Sequence, residues 1–164
     1  MANVKVIFGS TTGVTESAAA EIAAAFGVQA INVAGATAED FQADLLILGS
    51  STWGLGELQD DWAAKIGLLE HAELKGKLVA VFGMGDQSGF SDTYCDAMGI
   101  LARTAKAQGA TLIGRTPSEG YGHSSSAAEE DGMFCGLALD DNNESEKTSS
   151  RICAWVETLK QHLS

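Results

Sequence analysis

The chain has 164 residues, 45% of them hydrophobic and only one of them proline, and its 22 acidic against 10 basic side chains leave a formal charge of −12. That length suits one domain with a sizeable core, no apolar run approaches the ~18 residues of a membrane span, and so acidic a surface repels nucleic acid and anionic membranes. Cys95, Cys135 and Cys153 form no Cys-x-x-Cys pair, and His71, His123 and His162 share no ligand spacing. Buried or half-buried thiols in a reducing compartment are expected, and no metal centre.

The N-terminus "MANVKVIFGS" lacks the positive end and small-residue cleavage site of a signal peptide and reads as the first strand of a cytoplasmic protein. Strand-like runs then recur at "VKVIF" (4–8), "VQAINV" (28–33), "DLLILGS" (44–50), "KLVAVFG" (77–83) and "ATLIG" (110–114). Several are apolar on consecutive positions, as strands covered on both faces must be. Between them, helical spacing aligns Val14, Ala18, Ile22 and Ala25, then Trp62, Ile66 and Leu69, then Ala97, Leu101 and Ala105. A short helical turn around Ala38–Phe41 is expected to cover the second connection. Ile152, Trp155, Val156, Leu159 and Leu163 mark a last helix, with Thr148 as its expected N-cap. Strand followed by helix, repeated, predicts a parallel sheet wound with helices on both faces. The stretch after "ATLIG" is too long for an ordinary connection, and we read about 115–138 as an excursion inserted into the fifth strand, which resumes near Met133.

Doubly wound sheets bind ligands beyond the carboxyl ends of their strands. Three unusual loops fall there. The first, "STTGVT" (10–15), can turn backbone N–H groups, a helix dipole and several hydroxyls on one anion. It has no lysine to stabilise a reacting phosphoryl group. A phosphate held as an anchor fits such neutral donors, and so does plain helix capping. The second, "SSTWGLGELQDDW" (50–62), sets a tryptophan among glycines, and the third, "GMGDQSGFSDTYCDAMG" (83–99), sets Phe90 among glycines and acids. Two aromatic planes beside an anchored phosphate describe a slot for a flat ring.

These three loops, in this order and spacing, resemble the flavodoxins over essentially the whole chain, and the excursion ending in "GLALDDNN" resembles their long-chain branch. The resemblance implies an α/β, single-domain flavodoxin-like three-layer sandwich, with a five-stranded parallel sheet of order 2-1-3-4-5 and an insertion in its fifth strand. It implies one non-covalently bound FMN. Carried over by position, Ser10, Thr11, Thr12, Gly13, Val14 and Thr15 hold its phosphate, Trp53 covers the inner face of the isoalloxazine and Phe90 stands where most relatives place a tyrosine over the outer face. Gly54, Leu55 and Gly56 run beside flavin N5, where the Gly54–Leu55 carbonyl can turn toward the protonated nitrogen and favour a neutral semiquinone. Gly85, Asp86 and Thr93 meet the pyrimidine edge, and Thr52 and Asn142 face the ribityl chain, Asn142 at a position that is often acidic.

The function so implied is that of a low-potential one-electron carrier shuttling between semiquinone and hydroquinone. Each carboxylate about 10 Å from the reduced, anionic flavin costs about 1.7 kcal/mol at an effective dielectric near 20. Glu57, Asp60, Asp61 and Asp86 are candidates for that effect. The family implies a monomer whose acidic rim docks basic redox partners, among them ferredoxin–NADP reductase, photosystem I, pyruvate oxidoreductase and nitrogenase. The alternative is an FMN-dependent NAD(P)H or quinone oxidoreductase on the same fold, which needs one flavin face open to substrate. A phosphorylated receiver domain needs an aspartate ending the third strand, and "LILGSS" offers none.

Overall fold

The computed structural model describes residues 3–9, 13–53, 57–89, 91–141 and 143–163, with the side chains of Trp53 and Glu57 left aside. Its order is β1 (Val4–Gly9), α1 (Val14–Ala25), β2 (Ala30–Asn32), β3 (Leu45–Trp53), β4 (Glu57–Leu58), α2 (Asp60–Glu70), β5 (Leu78–Met84) and α3 (Asp96–Ala107). After α3 come β6 (Thr111–Leu112), β7 (Thr116–Pro117), β8 (Glu129–Glu130), β9 (Met133–Phe134), β10 (Leu137–Leu139) and α4 (Thr148–Gln161).

The central sheet runs β2-β1-β3-β5, all parallel, and β5 is flanked on its far side by β6 against Leu78 and Val79 and by β10 against Phe82, Gly83 and Met84. The fifth strand is therefore real but split, and the sheet has the expected order 2-1-3-4-5 with helices on both faces. Alternation along each strand sends neighbours to opposite sides of a sheet, and two separate cores result. Leu46, Leu48, Val79 and Val81 pack with Trp62 and Leu69 of α2 and Met98 and Leu101 of α3. Leu45, Ile47, Ala80 and Phe82 pack with Ala19 and Ile22 of α1 and Trp155 and Leu159 of α4. Each buried indole finds an acceptor, as such groups must in an apolar interior: Trp62 Nε1 donates to the Gly49 carbonyl at 2.6 Å and Trp155 Nε1 to that of Gly114 at 2.7 Å. The connection from β2 to β3 holds only 3-10 turns, at Val33–Gly35 and Ala38–Phe41.

Three details differ from the sequence expectation. The third strand does not stop near Ser50 but continues to Trp53, its last two residues pairing antiparallel with β4. The fifth strand resumes at Leu137, not Met133: Met133 and Phe134 belong instead to a separate antiparallel sheet of order β7-β9-β8. Thr148 is the first residue of α4, not its cap, and its hydroxyl donates to the Asp141 carboxylate.

Candidate cofactor site

At the carboxyl ends of β1, β3 and β5 the backbone is arranged around glycines and hydroxyls. Gly9 ends β1 beneath the start of α2, where a Cβ would lie 2.3 Å from Gln59 Oε1 and 2.6 Å from Trp62 Cδ1. Gln59 is buried and caps α2, its Oε1 accepting from the N–H groups of Asp61 at 2.9 Å and Trp62 at 3.3 Å. Gly13 begins α1 with φ of 89°, the left-handed region where glycine is unstrained. A glycine cap offers no side-chain acceptor to the first-turn N–H groups, so α1 opens on a donor-rich, dipole-positive terminus.

Behind that terminus lies a small hydroxyl network. Thr15 is fully buried and its Oγ1 sits 2.5 Å from Ser51 Oγ, while Ser50 Oγ donates to the Ser51 carbonyl at 2.8 Å and accepts from Gln59 N–H at 3.2 Å. The Thr15 hydroxyl is thus turned onto β3. Thr52 reaches across to α3, its Oγ1 accepting from Ala97 N–H at 3.0 Å. Trp53 closes β3, paired with Glu57.

The loop after β5 is folded around two carboxylates. Asp86 Oδ1 accepts from Ser88 N–H at 3.0 Å, Gly89 N–H at 2.8 Å and Asn143 Nδ2 at 2.8 Å, turning the loop back on itself. Asp140, fully buried after β10, accepts from Gln87 N–H at 2.9 Å and from both the N–H and the side-chain amide of Asn143. At Gly85 a Cβ would meet Tyr94 Cδ1 at 2.8 Å and Cys95 N at 3.0 Å, so the chain passes closer there than any side chain permits. Thr93 ends the 3-10 turn Ser91–Thr93 that leads toward α3.

The excursion is stitched to this loop. Ser124 and Ser125 donate to the Ser91 carbonyl at 3.0 Å, Tyr94 N–H donates to the Ser125 carbonyl at 3.2 Å, and Ala127 N–H donates to Asp96 Oδ1 at 2.6 Å. Beneath them Tyr94, Tyr121, His123 and Phe134 pack ring on ring, with centroids 4.9 to 6.3 Å apart. The excursion is therefore a buttress behind the third loop.

Of the residues singled out from sequence, Gly13, Val14, Thr15, Thr52, Gly85, Asp86 and Thr93 stand at this one edge of the sheet, with the backbone of Trp53. Ser10, Thr11, Thr12, Gly54, Leu55, Gly56, Phe90 and Asn142 lie outside the described residues. Sequence reasoning passed over Ser51, Gln59, Gln87, Asp140, Asn143 and Glu144. Their signal is only that so many polar side chains follow strand ends.

Glu144 is the hub of the outermost part. It takes Lys147 Nζ at 2.6 Å, Gln87 Nε2 at 2.5 Å and Arg151 Nη2 at 3.0 Å, and these donors, Lys147 foremost, hold its carboxyl at about 2. A carboxyl depressed in the folded state stabilises the fold above its unfolded value of 4.5 and loses that contribution as pH falls toward about 2. Glu144→Gln is accordingly expected to lower stability by about 1–2 kcal/mol at pH 7, in keeping with hydrogen bonds to a charged group. The gap between variant and parent should close between pH 4.5 and about 2 in urea unfolding curves. A gap independent of pH would mean that the charge of Glu144 contributes nothing.

Among the described residues this edge offers neutral donors and packing surfaces, and its buried thiol and phenol are not reactive nucleophiles. Burial pushes the Cys95 and Tyr94 groups up, well above their ordinary ranges. Among the described residues no group of three His, Cys, Asp or Glu side chains gathers to hold a metal ion, and no helix is long and apolar enough to cross a membrane.

The family model for flavodoxin matches residues 6–155. The chain belongs to the flavodoxin family. Curated flavodoxins agree over nearly full length: that of Picosynechococcus sp. is 45% identical, the match covering 98% of this chain and 97% of the relative, and that of Synechococcus elongatus is 42% identical with the same coverage. The crystal structure of Fusobacterium nucleatum flavodoxin bound to flavin mononucleotide superposes with a TM-score of 0.93 at 27% identity, covering 99% of both chains. Flavodoxins are electron-transfer proteins that work with redox partner proteins, and this places the chain among carriers and not among enzymes.

Proposed function

We propose that this chain carries electrons between protein partners on one non-covalently bound FMN seated at the carboxyl edge of β1, β3 and β5. The observation that carries the reading is the glycine-capped, lysine-free start of α1 backed by the Thr15–Ser51 hydroxyl pair. This donor set suits an anchored phosphate monoester that is not to be cleaved. The close chain passages at Gly9 and Gly85 support it, as does the bound cofactor of the Fusobacterium relative.

In this reading Ser10, Thr11, Thr12, Gly13 and Val14 cradle the phosphate, and Thr15 serves from below by fixing Ser51. Trp53 and Phe90 clasp the ring, Gly54, Leu55 and Gly56 run along its N5 side, Gly85, Asp86 and Thr93 border its pyrimidine, and Thr52 and Asn142 face the ribityl chain. When bound, FMN supplies one- and two-electron chemistry. The protein's part is to hold the ring, keep water from its faces and set the cost of added negative charge through nearby acids such as Asp60, Asp61 and Asp86. The same acids give a monomeric, cytoplasmic carrier a docking surface for basic partners of the kinds named above, with fast and brief encounters.

Mixing apoprotein with FMN should quench flavin fluorescence at one equivalent, and stepwise reduction should move the visible spectrum through more than one stage. The holoprotein should not turn over NADPH and a quinone unless a reductase is added. Colourless protein that ignores FMN would defeat the cofactor assignment, and steady unassisted turnover would defeat the carrier assignment.

A further inference from the structure

Away from the flavin edge, α3 and the excursion line a half-open cavity of about 620 Å³ beside β6. Its size falls within the range that takes a small organic molecule. The floor is apolar and built from small groups: Ala102, Ala110 and Ala128 are buried, and Leu112 and the Cys135 thiol are half-buried. The small residues of α3 admit the excursion closely, for a Cβ at Gly99 would touch the Ala127 carbonyl at 2.9 Å.

The rim has the opposite character. Arg103, Lys106 and Arg115, three of only ten basic residues in a chain of charge −12, line this one cavity. Arg103 Nη1 donates to the Ala127 carbonyl at 3.3 Å and Arg115 Nη2 to the Glu130 carbonyl at 3.4 Å, so each guanidinium is held in place by one bond to excursion backbone. A guanidinium has five N–H donors, and most of each fork is left over. Among the described residues Lys5, Lys77, Lys147 and Arg151 form ion pairs, while Arg103, Lys106 and Arg115 form none, and neither do Lys65, Lys75 and Lys160. Glu129, on the same wall, is turned to His123 Nε2 at 2.6 Å, which leaves Glu130 as the other acid of the rim. Burial is the main cause that pushes the Cys135 thiol up, to about 11 overall, with a backbone hydrogen bond and the Arg103 and Arg115 charges pulling the other way.

We propose that this cavity binds a small anionic amphiphile, its apolar body on the alanine floor and its carboxylate, sulfonate or phosphate between Arg103 and Arg115. Bidentate guanidinium recognition of such groups is the strong form of charge-assisted hydrogen bonding. The site does not depend on the flavin assignment, because it lies on other residues and its occupancy is read without the cofactor.

Octanoate is the probe, octanol its uncharged counterpart and inorganic phosphate the bare anion, each titrated into the full-length protein and followed by amide chemical shifts. Octanoate should saturate and shift the amides of Ala102, Ala110 and Ala128. In a Cys153→Ser background, which removes the exposed thiol, it should also slow maleimide labelling of Cys135. The double variant Arg103→Ala/Arg115→Ala should weaken octanoate at least tenfold, while Lys65→Ala/Lys160→Ala should not. Exposure of both arginines makes the double variant safe for folding. The proposal is overturned by absent binding, by shifts that map elsewhere, by octanol or phosphate binding as well as octanoate, or by an undiminished affinity in the arginine variant.

Discussion

Gly136→Ala is expected to cost at least about 4 kcal/mol, at the upper end for a single substitution and a large share of a typical domain's stability. The added Cβ would lie 1.9 Å from the Val81 carbonyl oxygen and 2.7 Å from Val81 Cγ2. Val81 sits in β5, paired with Leu48 of β3 on one side, so its carbonyl has nowhere to retreat. The comparison that isolates this effect is Gly49→Ala. There the Cβ would meet the Phe82 ring at 2.1 Å, but a ring can tilt, and overpacking of that kind costs about 1–3 kcal/mol. Urea unfolding should rank the two variants in that order, failure of Gly136→Ala to fold counting as the extreme case. The reverse order would show that the edge beside Val81 yields more readily than the core beneath Phe82.

Asp140→Ala is expected to be nearly as damaging and to strike the cofactor loop directly. The carboxylate is fully buried and holds Gln87 N–H at 2.9 Å, Asn143 N–H at 3.0 Å and Asn143 Nδ2 at 2.8 Å. Alanine strands these donors, and each unpaired buried group costs about 1–3 kcal/mol, so a total of about 3–5 kcal/mol is expected. Gln87 follows Asp86, and the turn around the Asp86 carboxylate is tied to the same Asn143 amide. FMN uptake by the apoprotein should therefore weaken by tenfold or more, and Asp140→Asn, which keeps shape and one acceptor oxygen, should recover part of both losses. Unchanged FMN affinity in a folded Asp140→Ala protein would separate this carboxylate from the cofactor site.

The sheet was legible because its strands are covered on both faces. Leu45, Leu46, Ile47 and Leu48 form an unbroken apolar run, each residue serving one of the two cores in turn. The strand ends were not legible. Ser50, Ser51 and Thr52 look like loop residues, yet they continue β3 because their hydroxyls bond to the Ser51 carbonyl and Gln59 N–H, to Thr15 and to Ala97 N–H, and their backbone pairs with β5 and β4. "MFCGLAL" reads as one strand, but close passage at Gly136 divides it between two sheets. At the candidate site, what the sequence shows is the glycines and hydroxyls of the three loops, of which Gly13, Thr15, Thr52, Gly85 and Thr93 stand at one edge of the sheet. The carboxylate network was hidden because its partners, such as Gln87 with Asp140 and Glu144, lie 53 and 57 positions apart and follow no period.

The division of the fifth strand also bears on how the chain is made. During synthesis β6 can cover Leu78 and Val79 of β5 soon after α3 has emerged, but Phe82, Gly83 and Met84 must wait for residues 137–139. In that interval the ribosome carries a nascent chain with a bare, apolar strand edge, the feature most prone to pairing with a neighbour. A chain cut short between β6 and β10 leaves that edge open for good, so such products are expected to associate with other chains through it.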